Sequence, residues 1–439
     1  MIKAKDSKEE FAPKTYRTII EVEDWGPAIT KLIVNLGEEI SENSLISSAF
    51  DVFVERRETR DGIYILGDSK GYRTVTNAYI SDESGNRVNG SSNFVILEME
   101  YGPALSLSSP MNFNISNFTN DWIESEYTIT QVEDVGTISG LVINQSSGET
   151  RVLVDRFSTG KATYGDSTLT YADYAPAEAN NKNRLIVWLH GMGEGGTDPT
   201  ITLAGNKVVN FITDEVQEYF RGAYVLSPQT PTYWMDGFES FGDGTSKYQE
   251  ALMSLIEDYV ANNPDIDPNK VYIGGISNGG YMTMLMIRDY PEYFASAFVA
   301  AEALDDELIT EEDLNNIAQT PIWFVHTAND PTVNPETTVL PTYDRLVDAG
   351  ADVHLSYYDD VRDLSGLYTN EDGSPYEYNG HWSWIYLYNN DPSTVIDGEE
   401  ISILEWVTRY ENEAKTYDRV LEDKDSDVED TGSNGENDL

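Results

Sequence analysis

A serine hydroxyl acts as a nucleophile at neutral pH only when a base accepts its proton and nearby donors stabilise the charge that forms. One stretch of this chain has the form such a serine needs. Val271-Tyr272-Ile273-Gly274-Gly275-Ile276-Ser277-Asn278-Gly279-Gly280-Tyr281-Met282 is an apolar run that breaks into glycines around Ser277 and continues as helix. Gly275-x-Ser277-x-Gly279 is the pattern of a strand that stops on a serine and turns at once into a helix, a nucleophile elbow. Bulky side chains two positions from the serine would block the sharp, strained turn that exposes its hydroxyl. Such a short pattern also arises by chance, so base, acid and oxyanion donors must be found elsewhere.

The chain has 4 histidines, His190, His326, His354 and His381. Where the partners follow the serine in the order Ser, Asp/Glu, His, His190 is excluded because it precedes Ser277. His326 closes a strand ahead of the best acid and reads as a structural hydrogen-bonding residue. His354 lies inside Val353-His354-Leu355-Ser356-Tyr357-Tyr358, a strand interior that holds it away from the loop ends. His381 follows Asn379-Gly380 and precedes Trp382-Ser383-Trp384-Ile385, a loop that opens a helix, and is the expected base. Among 77 carboxylates only position can single out the acid. Asp330, on the turn after the strand 322–325, has that position, with Asp359 and Asp360 in reserve.

The oxyanion donors are expected to be the backbone amides of Asn278 and of Met192, in the loop His190-Gly191-Met192-Gly193-Glu194-Gly195-Gly196, with Gly193 the alternative. This loop also matches the dinucleotide fingerprint Gly191-x-Gly193-x-x-Gly196. That reading requires an acidic residue at the end of the next strand, where the chain has Ser227-Pro228-Gln229. No nucleotide is expected, and no histidine–carboxylate spacing points to a metal. Aromatic residues after the strand 223–227, Trp234 and Phe238, together with Trp382 beside the base, are expected to bind substrate; the plainer reading of the loop 233–238 is a packed cap.

These residues need a sheet to position them. Strand-like segments at 185–189, 223–227, 271–275, 296–300, 322–325 and 353–358 alternate with helix-like ones such as 247–262, 342–349 and 401–410. The alternation predicts a mostly parallel sheet covered on both faces, with sites at the carboxyl ends of its strands. Segments 151–157 and 167–174 read as a hairpin ahead of it. Earlier, strands at 16–23, 28–36, 49–56, 72–80, 92–100, 122–130 and 137–143, separated by turns such as 82–86 and 145–149, read as an antiparallel immunoglobulin-like sandwich. That part has no histidine; its default role is packing or tethering, with carbohydrate binding or homo-oligomer formation as sharper ideas.

The chain of 439 residues carries a net charge of −49, which repels phosphate backbones and anionic membranes; neither nucleic acid nor membrane is an expected partner. The acidic surface favours solubility and suits salty surroundings. There is no cysteine, hence no disulfide or thiolate. The first residues lack the apolar core of a signal peptide, and a leader removed from a secreted or cell-envelope protein would leave a similar start. Beyond 417 a disordered acidic tail is expected; its Asp423, Asp425 and Asp427 mimic the start of a calcium loop, but Val428 stands where glycine is needed.

Leu189-His190-Gly191-Met192-Gly193-Glu194, the elbow at 275–280, Asn329-Asp330-Pro331-Thr332-Val333 and Gly380-His381-Trp382 together resemble the α/β-hydrolase superfamily. Within it they resemble esterases with an N-terminal immunoglobulin-like domain, near the feruloyl-esterase, polyester-depolymerase and prolyl-oligopeptidase-like branches. The resemblance implies Ser277 as nucleophile, His381 as base, Asp330 as acid, and Met192 with Asn278 as oxyanion donors. It implies a cofactor-free serine carboxylesterase acting on a small or polymer-attached ester. The alternatives are a peptidase or amidase, against which the lack of a gating β-propeller argues, and a non-catalytic carbohydrate- or surface-binding protein. The expected domains are a sandwich over 13–150, a hydrolase over 151–416 and the tail over 417–439.

Overall fold

The structure is a computed structural model, described over residues 11–61, 66–177 and 182–412. The tail expected over 417–439 lies outside these residues, as do the first ten.

The N-terminal strands are β1 (Thr15–Glu23), β2 (Gly26–Ser41), β3 (Phe50–Arg57), β4 (Lys70–Arg73), β5 (Val75–Ser81), β6 (Ser91–Met99), β7 (Met111–Asn114), β8 (Thr119–Trp122), β9 (Glu124–Gln131), β10 (Val142–Ile143) and β11 (Ser146–Arg151). One sheet has the order β11-β1-β2-β6-β5 and the other β10-β9-β3-β4, while β7 and β8 pair separately as a hairpin. Alternation builds the core between them: in β3, Phe50, Val52 and Val54 are buried while Asp51 and Glu55 face water. These side chains meet Leu32, Val34, Val95, Leu97 and Ile129. Two expectations shift. The segment 72–80 is two strands in different sheets, broken where the buried Arg73 guanidinium donates to Tyr127 Oη (2.7 Å) and to the carbonyls of Ile29 and Glu100. In the segment 145–149, residues 146–149 are not a turn but the start of β11, which pairs parallel to β1; its polar edge position leaves no hydrophobic alternation to read.

The second sheet system comprises β12 (Ser158–Tyr164), β13 (Ser167–Tyr174), β14 (Asn183–Leu189), β15 (Ala223–Gln229), β16 (Ile266–Ile276), β17 (Ser296–Ala300), β18 (Ile322–Thr327) and β19 (Val353–Tyr358). Their order is β12-β13-β15-β14-β16-β17-β18-β19, antiparallel through β12, β13 and β15 and parallel from β15 to β19. The hairpin begins at 158, not 151, because Val154–Arg156 forms a turn that buries Val154 before the strand starts. Helices cover both faces: α1 (Thr200–Ala204), α2 (Asp214–Phe220), α3 (Gln249–Asn262), α4 (Asn278–Asp289), α5 (Glu311–Ile317), α6 (Val339–Asp348), α7 (Trp384–Tyr388) and α8 (Ile403–Val407). Period-two alternation splits β14 between two cores. Ile186 and Trp188 enter one with Phe298, Trp323 and Trp406, while Leu185, Val187 and Leu189 enter the other with Leu252, Ile256 and Phe324. The chain leaves β14 for β15 on one side and returns to β16 on the other, so the carboxyl ends of β14 and β16 form the switch point at which a crevice opens.

The two sheet systems touch directly. Trp122 Nε1 donates to Thr200 Oγ1 at 2.8 Å, Lys207 pairs with Asp24 at 2.7 Å, and Trp25 packs edge-on against Tyr368.

Candidate active site

Ser277 follows β16 directly and caps α4 with φ 51° and ψ −113°, a conformation that L-residues rarely adopt. The packing around it holds the strain. A Cβ at Gly279 would lie 2.1 Å from the Leu189 carbonyl oxygen, and one at Gly275 would lie 2.5 Å from the Gly279 carbonyl oxygen. Both positions therefore require glycine, and β14, β16 and α4 meet backbone to backbone. The Ser277 amide donates to the Ala300 carbonyl at 3.0 Å, which fixes the turn against β17.

His381 reaches Ser277 from a loop laid over the end of β18. Thr327 Oγ1 donates to the Gly380 carbonyl at 2.5 Å, and a Cβ at Gly380 would lie 2.2 Å from Asn329 Oδ1. The His381 amide donates to Asn379 Oδ1 at 2.9 Å. Its Nε2 stands 3.0 Å from Ser277 Oγ, and its Nδ1 stands 2.8 Å from Asp330 Oδ2. The other oxygen of Asp330 accepts from the Thr332 and Val333 amides at 2.8 and 2.9 Å. Burial alone would raise the Asp330 carboxyl, but hydrogen bonds from His326, His381 and the Val333 amide outweigh it and hold the group well below the ordinary carboxylate range. A carboxylate ionised at neutral pH thus faces the imidazole that faces the serine.

The remaining histidines are placed otherwise. His326 is buried, with Nε2 3.1 Å from Asp330 Oδ2. His354 packs between Trp323 and Trp406. His190 accepts at Nε2 from the Thr230 amide, and burial lowers its imidazole to about 4, so it stays neutral. Of the reserve acids, Asp360 pairs with Arg362 at 2.5 Å.

Met192 opens a single turn, Met192–Glu194, after β14, and Asn278 is the first residue of α4, whose amide has no intrahelical acceptor. Met192, Gly193 and Ser277 line one cleft with His381 and Trp382, a cavity of about 750 Å³ open to solvent. Two expected substrate-binding residues are elsewhere. The Trp234 indole is fully buried against His190 and Tyr248, and its amide donates to Asn278 Oδ1 at 2.7 Å; it ties the loop after β15 to the elbow and does not line the cleft. Phe238 is 72% exposed and outside the cleft, because the Asp243 carboxylate gathers the Glu239, Ser240 and Thr245 amides into a tight turn that points the ring outward. The N-terminal domain supplies what the sequence did not announce: Trp25, Met111, Phe113, Phe118 and Asn120 form the facing wall.

Residues 15–144 match the model of an esterase immunoglobulin-like N-terminal domain, and residues 175–362 match the phospholipase/carboxylesterase model. The chain joins an esterase-type immunoglobulin-like domain to an α/β-hydrolase domain of the phospholipase/carboxylesterase family. Ser277 and Asp330 fall within the hydrolase match and His381 beyond its end. The solved structure of a thermostable esterase superposes with a TM-score of 0.72 at 25% identity, covering 91% of this chain and 100% of that one. A poly(3-hydroxybutyrate) depolymerase of Ralstonia pickettii is 29% identical over 132 residues, 29% of this chain and 26% of that protein. A protein of Oryza sativa subsp. japonica described as a probable carboxylesterase is 25% identical over 183 residues, 38% of this chain and 65% of that protein. The chain thus spans less than two-thirds of the length of these curated relatives. In this hydrolase domain, as the structure places it, the cleft lies between the carboxyl ends of the parallel strands and the β7–β8 hairpin of the immunoglobulin-like domain.

Proposed function

We propose that this chain is a serine carboxylesterase in which Ser277 is the nucleophile, His381 the general base and Asp330 the acid. The observation that carries the reading is the unbroken relay of 2.8 and 3.0 Å from Asp330 through His381 to a serine on a strained elbow. His381 Nε2 takes the Ser277 proton as Oγ attacks the ester carbonyl, and the ionised Asp330 stabilises the imidazolium. The amides of Met192 and Asn278, with Gly193 as the alternative to Met192, receive the tetrahedral oxyanion. The imidazolium then protonates the departing alcohol, and the same imidazole activates water against the acyl-enzyme.

The relatives are named for carboxylic ester hydrolysis, which is the chemistry proposed here for a small or polymer-attached ester. Trp382 on one side and Phe113 and Phe118 on the other give the cleft apolar walls, suited to a bulky or aromatic group on that ester. Ser277→Ala should leave the melting temperature within a few degrees of wild type and lower turnover of p-nitrophenyl acetate by at least about 10³-fold. Turnover retained by that folded variant would overturn the reading.

A further inference from the structure

The turn that carries the Met192 amide is pinned at both ends and open in the middle. At its start it continues from the fully buried Leu189. At its end the Glu194 carbonyl accepts from Gln229 Nε2 at 2.8 Å and the Gly196 amide donates to the Thr230 carbonyl at 2.9 Å. Packing at this end is tight: a Cβ at Gly195 would lie 1.9 Å from the Thr232 carbonyl oxygen. None of these contacts bears on Gly193, at the turn's centre.

Two groups do. From the N-terminal domain, the Asn120 side chain lies over the glycine, its Nδ2 2.8 Å from where a Gly193 Cβ would be. That Nδ2 donates to Glu194 Oε1 at 3.2 Å. The Glu194 side chain folds back under its own loop. Its Oε2 lies 3.0 Å from the place of a Gly191 Cβ, and its Oε1 lies 2.9 Å from that of a Gly205 Cβ. Only 4% of Glu194 is exposed, so this carboxyl is part of the interior of the loop. The first domain therefore grips the loop through the Asn120–Glu194 pair, on a hairpin itself anchored by Trp122 on Thr200.

We propose that Glu194 and Asn120 are positioning residues that hold the Met192 amide in register for the oxyanion, so that the immunoglobulin-like domain acts on the chemical step and not only on substrate binding. This rests on the carboxylesterase reading above. Neither side chain touches the reacting atoms; the pair acts through the backbone of residues 191–194. Burial pushes the Glu194 carboxyl up to about 7, against the hydrogen bonds from Asn120 and Asn206 that lower it.

The test uses the full chain with p-nitrophenyl acetate, too small to need the far wall, and follows kcat, KM, the rate of Ser277 phosphonylation and the melting temperature. Asn120→Ala should lower kcat about tenfold and slow phosphonylation in parallel, with KM within about twofold, the size expected for a partly misplaced oxyanion donor. Asn120→Asp, which opposes two carboxyls, should lose more, and Asn120→Asp combined with Glu194→Gln should recover most of that loss, because the amide then donates in the opposite direction. Glu194→Gln should also fall less than Glu194→Ala. A kcat for folded Asn120→Ala within twofold of wild type, or no recovery in the double variant, would overturn the proposal. Should Asn120→Ala fail to fold, the double variant against Asn120→Asp decides alone. Activity surviving Ser277→Ala would remove the carboxylesterase reading itself, whereas an inert Ser277→Ala with unaffected Asn120 variants would remove only this inference.

Discussion

On the hydrolase side of the cleft, Ser277, His381 and Asp330 stand on turns whose freedom is used up by backbone contacts, with Gly279, Gly275 and Gly380 each packed against a neighbouring residue. On the facing side, Phe113 and Phe118 are 41% and 51% exposed on a hairpin whose strands are four residues long. The first side can hold a proton relay to a few tenths of an ångström because nothing in it can relax without moving a sheet. The second offers apolar area with few constraints, which suits a wall that must accept different groups. In the reading proposed above, the reacting side chains stand on the hydrolase side and the apolar wall on the other, and Asn120, Trp122, Asp24 and Trp25 join the two domains.

The largest test of that division is Asp330→Asn. The amide cannot stabilise an imidazolium, so kcat should fall by roughly 10³–10⁴-fold while KM changes little. Its carboxyl is held below its ordinary value of 3.8, so its contribution to stability is present above that pH and is lost as the pH falls further. Denaturation midpoints of wild type and Asp330→Asn should therefore differ most near neutrality and converge in acid. A kcat loss under tenfold would place the relay elsewhere.

Glu194 gives the opposite sign. Its carboxyl is pushed from 4.5 to about 7, so its stabilising contribution is full below 4.5 and is lost as the pH rises to 7. The facing Tyr388 hydroxyl, fully buried, is held well above its ordinary range and stays neutral throughout. Glu194→Gln should gain stability on wild type across this window, by up to roughly 3 kcal/mol at 1.36 kcal/mol per unit. Urea midpoints at pH 5 and pH 7.5 measure it; an equal difference at both would show that the carboxyl does not titrate there.

The smallest effect is expected on the open wall. Phe113→Ala and Phe118→Ala should each raise KM for a bulky aromatic ester by about three- to tenfold, the scale of one partly buried ring, with kcat nearly unchanged. A change in kcat larger than that in KM would mean that the wall also shapes the chemical step.

The same division governs what the sequence discloses. The elbow is legible because its glycines answer a local steric demand, and His381 and Asp330 are found because strand order restricts where partners can stand. Period-two alternation reveals β3 and β14, whose buried and exposed or two buried faces differ along the strand. It is silent on β11, an exposed polar edge held only by pairing with β1. For Trp234 the sequence leaves substrate contact and a packed cap both open, because nothing local tells a ring in a cleft wall from one buried beneath it. Phe113, Phe118 and Asn120 carry no signal at all: their place on the cleft comes from how a hairpin in one domain meets a loop in another, Glu194 standing 74 residues after Asn120.

Treatment of the full chain with a fluorophosphonate, followed by mass spectrometry of its peptides, addresses the central claim most directly. A single adduct on Ser277, formed at least about a hundredfold more slowly in His381→Ala, is the predicted result. An unlabelled Ser277 in folded protein, or labelling indifferent to His381, would contradict it.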